Sequence, residues 1–238
     1  LWLVFPALYY LCRFFSCGLP QQHSDPLYYH LIAPKIWAQL GQIVLQEAHP
    51  SHSQATLWEV VYGLPMLLLK VNGERAHIII QLYGQWMHAL WGQGLTLALA
   101  YIILMRSSTS FTKYPTRTLF FAWILTTQSC FEWLGCLAKN DYIVCVFVLA
   151  AIFSIQNKWY KLAGWLIGVG YGVKVFAVWA FFGFAFVVPW TFWIHYGGFA
   201  FLGTLPILIR NFIFTRNPFF PAADNIFGHN WVSTLWAN

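Results

Sequence analysis

AHIIIQLYGQWMHALWGQGLTLALAYIILM, residues 76–105, carries no Asp, Glu, Lys or Arg along its whole length. At about 1.5 Å per residue, a helix of that length exceeds the roughly 30 Å hydrocarbon core of a bilayer. Its polar residues are not scattered. His77, Gln81, Gln85 and His88 recur every three to four positions, with Gly84 and Gly92 nearby, so they share one helix face. Such a face is expected to point into a bundle or a wet cavity, because lipid offers it no hydrogen-bond partner. The segment therefore reads as a membrane span packed against other spans.

The composition extends that reading to the whole chain. Of 238 residues, 59% are hydrophobic, 20% aromatic and only 8% charged, against about 25% charged in soluble domains. Fourteen Trp and twelve Tyr suit the aromatic belts at the two membrane interfaces. The net charge of +6 does not indicate nucleic acid, because the basic residues lie in short loops between apolar runs, where orientation signals sit. The expected fold is all-α: a polytopic transmembrane helical bundle with juxtamembrane helices on its outer face. Residues 1–238 read as a single transmembrane domain, and because Leu1 opens inside an apolar run, as a piece of a longer chain truncated at both ends. The five cysteines, Cys12, Cys17, Cys130, Cys136 and Cys145, form no Cys-x-x-Cys pair and read as small apolar residues of helices.

Candidate spans are 1–18, 76–105, 118–138, 142–156, 160–188 and 191–209. Loop 106–117 holds Arg106, Lys113 and Arg117 without an acid, and loop 156–161 holds Lys158 and Lys161 without one. Both are expected to face the cytoplasm, which puts the turn Lys139-Asn140-Asp141 outside. The shorter apolar piece 56–71, with Glu59, Gly63 and Pro65, is too short to cross and is expected to lie along the outer interface. The first outer loop, 19–75, then shares a face with 139–141, and Asp25 with Asp141. Within 160–188, Gly164, Gly168, Gly170 and Gly172 allow close packing or a break, and Lys174 marks the break. If 175–188 turns back and 191–209 rises again, Arg210 and Arg216 stand on the outer face and ask for an anionic partner such as a lipid phosphate. If 160–188 crosses only once, that last loop is cytoplasmic.

Several residues are candidates for chemistry. Asp25 is placed to act as a general base or a metal ligand, and Asp25-Pro26 is equally a good start for a helix running to Leu40. Asp141 opens the helix 142–156 and is either functional or a cap, with Lys139 beside it. Glu132 is an acid inside an apolar span. His23, His30, His49 and His52 surround Asp25 in a loosely metal-like set. No phosphate-binding, dinucleotide or nucleophile-elbow motif is present.

The order of four pieces resembles the GT-C superfamily of integral-membrane glycosyltransferases, which includes protein O-mannosyltransferases and the lipid A aminoarabinose transferase. They are Asp25-Pro26-Leu27-Tyr28-Tyr29-His30-Leu31 with Ala33-Pro34-Lys35-Ile36-Trp37 and Gly41-Gln42-Ile43; Ala138-Lys139-Asn140-Asp141-Tyr142; Gly164 to Lys174; and Ile209-Arg210-Asn211 through Arg216-Asn217-Pro218 to Pro221. The resemblance implies transfer of a sugar from a polyprenyl-phosphate-linked donor to a lipid, glycan or protein acceptor. It implies a catalytic Asp25, a second acidic position at Asp141, and donor contacts from Lys139, Lys174, Arg210, Tyr29 and His30. It also implies a bacterial inner membrane with the site on its periplasmic side, and admits a divalent metal ion as cofactor. Two departures stand out: Pro26 follows Asp25 where many relatives carry a second acid, which puts metal binding in doubt, and Arg216 stands where a glycine is common. The competing expectations are a transporter or lipid flippase, with the stripe on 76–105 lining its path, and a structural subunit of a membrane complex.

Overall fold

A computed structural model describes residues 3–19, 30–42, 57–69, 73–127, 140–220 and 222–227. Among these residues every regular element is helical: α1 (Val4–Ser16), α2 (Ile32–Leu40), α3 (Leu57–Leu69), α4 (Gly73–Met87), α5 (Gly94–Ser107), α6 (Thr109–Lys113), α7 (Pro115–Thr126), α8 (Asp141–Gln156), α9 (Tyr160–Val173), α10 (Ala177–Ala185) and α11 (Trp193–Thr215). Ile78–Ser107 and Trp190–Thr215 are long and apolar enough to cross a bilayer, and only 28% of each apolar window is buried within the chain. A core helix of a soluble protein hides most of its surface. Here Ile194 is 87% and Phe186 91% exposed, which suits contact with lipid.

The 76–105 segment is not one uniform helix. Between α4 and α5, His88–Gln93 forms a π-turn whose His88, Ala89, Gly92 and Gln93 are buried. Gly92 permits this wide turn to touch α8, since a Cβ there would stand 2.8 Å from the Cβ of Tyr142. The polar face does turn inward, as expected: Gln81, Gln85 and His88 are all buried. Gln85 donates to the carbonyl of Leu19 at 3.2 Å. His88 Nε2 accepts the backbone N–H of Tyr142 at 3.3 Å, covering one of the amides that the first turn of α8 leaves without an intrahelical partner. Gln93 continues the face, donating to the hydroxyls of Tyr9 (2.7 Å) and Tyr142 (3.3 Å). These contacts, with Phe14 against Trp86 at 4.2 Å between ring centres, lay α1 antiparallel to α4 and α5. The side chain of His77 lies outside the described residues.

The two basic loops meet at one end of the bundle, where Arg106 donates to Asn157 Oδ1 at 2.5 Å. The exposed Trp159, Trp190 and Trp193 gather at the same end, tied in by the contact of Tyr160 with Phe192. From this basic end α9 runs to Lys174, where the backbone becomes extended (φ −156°, ψ 126°). Helix α10 then returns, and its last turn packs with Val188 around Ala163 and Tyr196. Helix α11 rises again, parallel to α9. Gly164 faces Tyr196 and Ala200, Gly168 faces Ala200 and Gly203, and Gly172 faces Ile207. A Cβ on Gly164 or Gly168 would overlap a carbonyl oxygen of α11, so the glycines serve close packing here. The break at Lys174 and the return of α10 place Arg210 at the same end as Lys174 and opposite the basic loops.

Helix α3 stands at that far end. Its Leu57 side chain lies beside Gly172 of α9. Glu59, Tyr62 and Gly63 share its buried face, while Leu64 and Leu68 are 47% and 71% exposed. Thirteen residues at about 1.5 Å each fall short of a bilayer core. Helix α2 spans Ile32–Leu40; the expected helix start at Asp25-Pro26 lies outside the described residues. Of the 118–138 span the structure describes the part through α7.

Candidate functional site

At the end of the bundle opposite the basic loops, five separate stretches of sequence come together. Asn140 and Asp141 start α8, and Val173 and Lys174 end α9. They pair two by two: Asn140 Nδ2 donates to the carbonyl of Val173 at 3.0 Å, and Lys174 Nζ donates to Asp141 Oδ1 at 2.5 Å. Asp141 is the first residue of α8, and the residue before the helix, Asn140, makes no side-chain cap hydrogen bond. The Asp141 carboxylate therefore serves Lys174, while its charge also suits the positive end of the helix dipole. The two side chains are 27% and 28% exposed, so the pair is open to an incoming ligand.

Beneath this pair lies a buried one. His30 Nδ1 and Glu59 Oε1 are 2.5 Å apart, with side chains 1% and 3% exposed. Asn140 Nδ2 also reaches Glu59 Oε1, at 3.4 Å. The second carboxylate oxygen of Glu59 and the amide oxygen of Asn140 are buried and accept no hydrogen bond among the described residues. Tyr62, one helical turn from Glu59, is fully buried. Burial, then the Glu59 carboxylate and more weakly Asp141, hold its phenol well above its ordinary range. Half-buried Arg210 on α11 lies one turn beyond Ile207, which faces Gly172 of α9, and donates to Asn211 Oδ1 at 2.8 Å. The chain then turns at Arg216, whose φ of 60° is left-handed. Asn211 anchors this turn by donating to the carbonyls of Pro218 and Phe220, both at 3.2 Å.

The expected site residues thus divide. Asp141 and Lys174 touch each other, His30 joins them through Glu59 and Asn140, and Arg210 stands at the same end of the bundle without a described contact to them. Asp25, Tyr29, Lys139, Glu132, His23, His49 and His52 lie outside the described residues. Sequence reasoning passed over Glu59. The signal was available: an acid within an apolar helix, followed at three and four positions by Tyr62 and Gly63 and set against Leu64 and Leu68, marks a buried polar face.

Among the described residues no three His, Cys, Asp or Glu side chains converge as a metal would require. Asp141 meets an ammonium, and Glu59 a histidine and an amide; the set around Asp25 in which a metal was expected lies, apart from His30, outside the described residues. Cys12 and Cys145 carry free thiols. An apolar cavity of about 510 Å³ lies alongside the site, between α9, α10 and α11, lined by Ile167, Tyr171, Phe181, Ala200, Thr204 and Phe219. It holds no titratable pair, so it is a place for an apolar chain and not for the chemistry. No family model matches this chain, and neither a curated protein nor a solved structure matches it significantly.

Proposed function

We infer that the protein is a multi-pass membrane glycosyltransferase of the GT-C type, which moves a sugar from a polyprenyl-phosphate donor to an acceptor at the outer face of a bacterial inner membrane. The observation that carries this reading is the convergence of the four quoted pieces at one end of the bundle: His30, Asn140-Asp141, Val173-Lys174 and Arg210-Asn211. Glycosyl transfer needs a base for the acceptor hydroxyl and positive charge for the departing phosphate. Asp141, and Asp25 of the first loop, would supply the carboxylate chemistry; Lys174 and Arg210 supply the charge. The reaction breaks the bond from the anomeric carbon to the phosphate oxygen and forms one to the acceptor oxygen. The acceptor proton passes to a carboxylate, and the lipid phosphate leaves with the electron pair. The apolar cavity beside Tyr171 and Phe219 suits an isoprenoid chain whose phosphate reaches Lys174.

The test is transfer of label from radiolabelled polyprenyl-phosphate sugars in membranes carrying the protein. Wild type, Asp25→Asn and Asp141→Asn are compared at matched expression. Transfer by wild type with a loss of at least about 100-fold in either variant, as for removal of a positioned acid or base, supports the reading. Undiminished transfer in both variants returns the carboxylates to structural roles. No transfer by wild type from any donor leaves a transporter or flippase. The buried stripe favours that alternative less, because Gln85, His88 and Gln93 bond to neighbouring helices.

A further inference from the structure

We propose that Glu59 is the positioning residue of this site, whose charge holds the start of α2 and the start of α8 in one frame and thereby sets the geometry of the Asp141–Lys174 pair it does not touch. One carboxylate oxygen of Glu59 meets both His30 and Asn140. His30 lies in the first loop, five positions after Asp25 in sequence. Asn140 is covalently next to Asp141 and is bonded to Val173, the residue before Lys174. A single buried carboxylate therefore links, through one intervening side chain on either hand, the loop of Asp25 to the pair of Asp141.

A packing role alone does not account for the group. Among the described residues one oxygen of the Glu59 carboxylate has no hydrogen-bond partner, and neither has the Asn140 amide oxygen. A neutral glutamine would match its shape, and its amide could donate from the position of the unpartnered Oε2. If Glu59 merely filled space, Glu59→Gln would be tolerated or favourable. If its charge orders the two starts, the same substitution disturbs the frame while the fold survives. Displacement of reacting groups by an ångström costs on the order of 100-fold in rate.

The test compares wild type with Glu59→Gln in lipid bilayers, with histidine and lysine side-chain nitrogens isotopically labelled. The His30 and Lys174 resonances are assigned from His30→Gln and Lys174→Gln spectra. The expected result is an unchanged melting temperature, a shift of the His30 resonance, and a shift of the Lys174 ammonium resonance although Glu59 makes no contact with it. A Lys174 resonance that stays in place while His30 moves overturns the proposal, leaving a local His–Glu pair. Should Glu59→Gln fail to fold, Glu59→Asp, which keeps the charge on a chain one methylene shorter, takes its place with the same two readouts. The inference rests on the transferase reading only for its kinetic consequence, a fall of about 100-fold in kcat with little change in donor KM. Absence of transfer in wild type would sink that reading, while the resonances would still decide the role of Glu59.

Discussion

Replacing Gly168 with alanine adds one methyl group at the tightest point between α9 and α11. The new Cβ would overlap the carbonyl oxygen of Ala200 and stand 2.9 Å from both the carbonyl carbon of Ala200 and the Cα of Gly203. Carbon atoms rest comfortably at about 3.5–4.0 Å, so the helices must part by roughly 0.5–1 Å. A gap of that size forfeits a quarter to a half of each contact's attraction. With on the order of 40 atom pairs across the patch at about 0.15 kcal/mol each, the loss is about 1.5–3 kcal/mol, in line with other overpacked sites. The intrinsic preference of a helix for alanine over glycine returns about 1 kcal/mol, leaving a net loss of about 0.5–2 kcal/mol. Gly198 is the control: it lies in α11 with nothing within 4 Å of a built Cβ, so Gly198→Ala should stabilise by up to about 1 kcal/mol. Melting temperature in detergent, with helix content checked by circular dichroism, reads both. Because opposite signs are expected, equal shifts in the two variants would refute the parallel close packing of α9 on α11.

Three further outcomes follow from the site end. Lys174→Met and Asp141→Asn should each cost about 0.5–1 kcal/mol, since the pair is partly exposed and solvent screens it; a double-mutant cycle with no coupling would remove the pair. Arg216→Gly should stabilise by about 0.5–1 kcal/mol, because Arg216 holds a left-handed φ of 60° that glycine adopts freely; a lower melting temperature would show that the Arg216 side chain contributes more than its backbone costs. The buried Tyr62 phenol titrates above its ordinary value of 10.0 in the folded protein. Its contribution to stability is therefore complete below that value and is lost as pH rises through the higher folded value. Tyr62→Phe should flatten the alkaline fall in melting temperature, and an unchanged alkaline limb would place the cause elsewhere.

Much of the architecture was legible because membrane physics writes it into local sequence. The acid-free loops around Arg106 and Lys158 do meet at one end, and the stripe of Gln81, Gln85 and His88 does face inward. The break at Lys174 and the return of α10 followed from glycines and a misplaced charge. The unusual glycine position of the last loop also found its explanation, since Arg216 occupies the left-handed cap of α11. The π-turn was not legible. Gly92 and Gly94 mark a place where backbone can deviate, but which deviation occurs depends on Tyr142, fifty residues away in sequence. Glu59 was hidden for a related reason. Its partners His30 and Asn140 lie 29 and 81 positions off, and nothing in a short apolar helix states which distant segments will come to rest on its polar face.

The parallel course of α9 and α11 sets an order on assembly. Two antiparallel neighbours can associate as a hairpin as soon as the second is made, but α9 must wait. Helix α10 has to thread back to the basic end before α11 can begin, and Gly172 meets Ile207 only when α11 is nearly complete. Contacts of this separation form late, since the intervening chain must be ordered first. During synthesis the glycine face of α9 is thus left uncovered, a groove that only the helix two segments downstream can close. A ribosome stalled before residue 207 should hold a bundle whose basic end is built and whose Arg210 has yet to arrive at the opposite end.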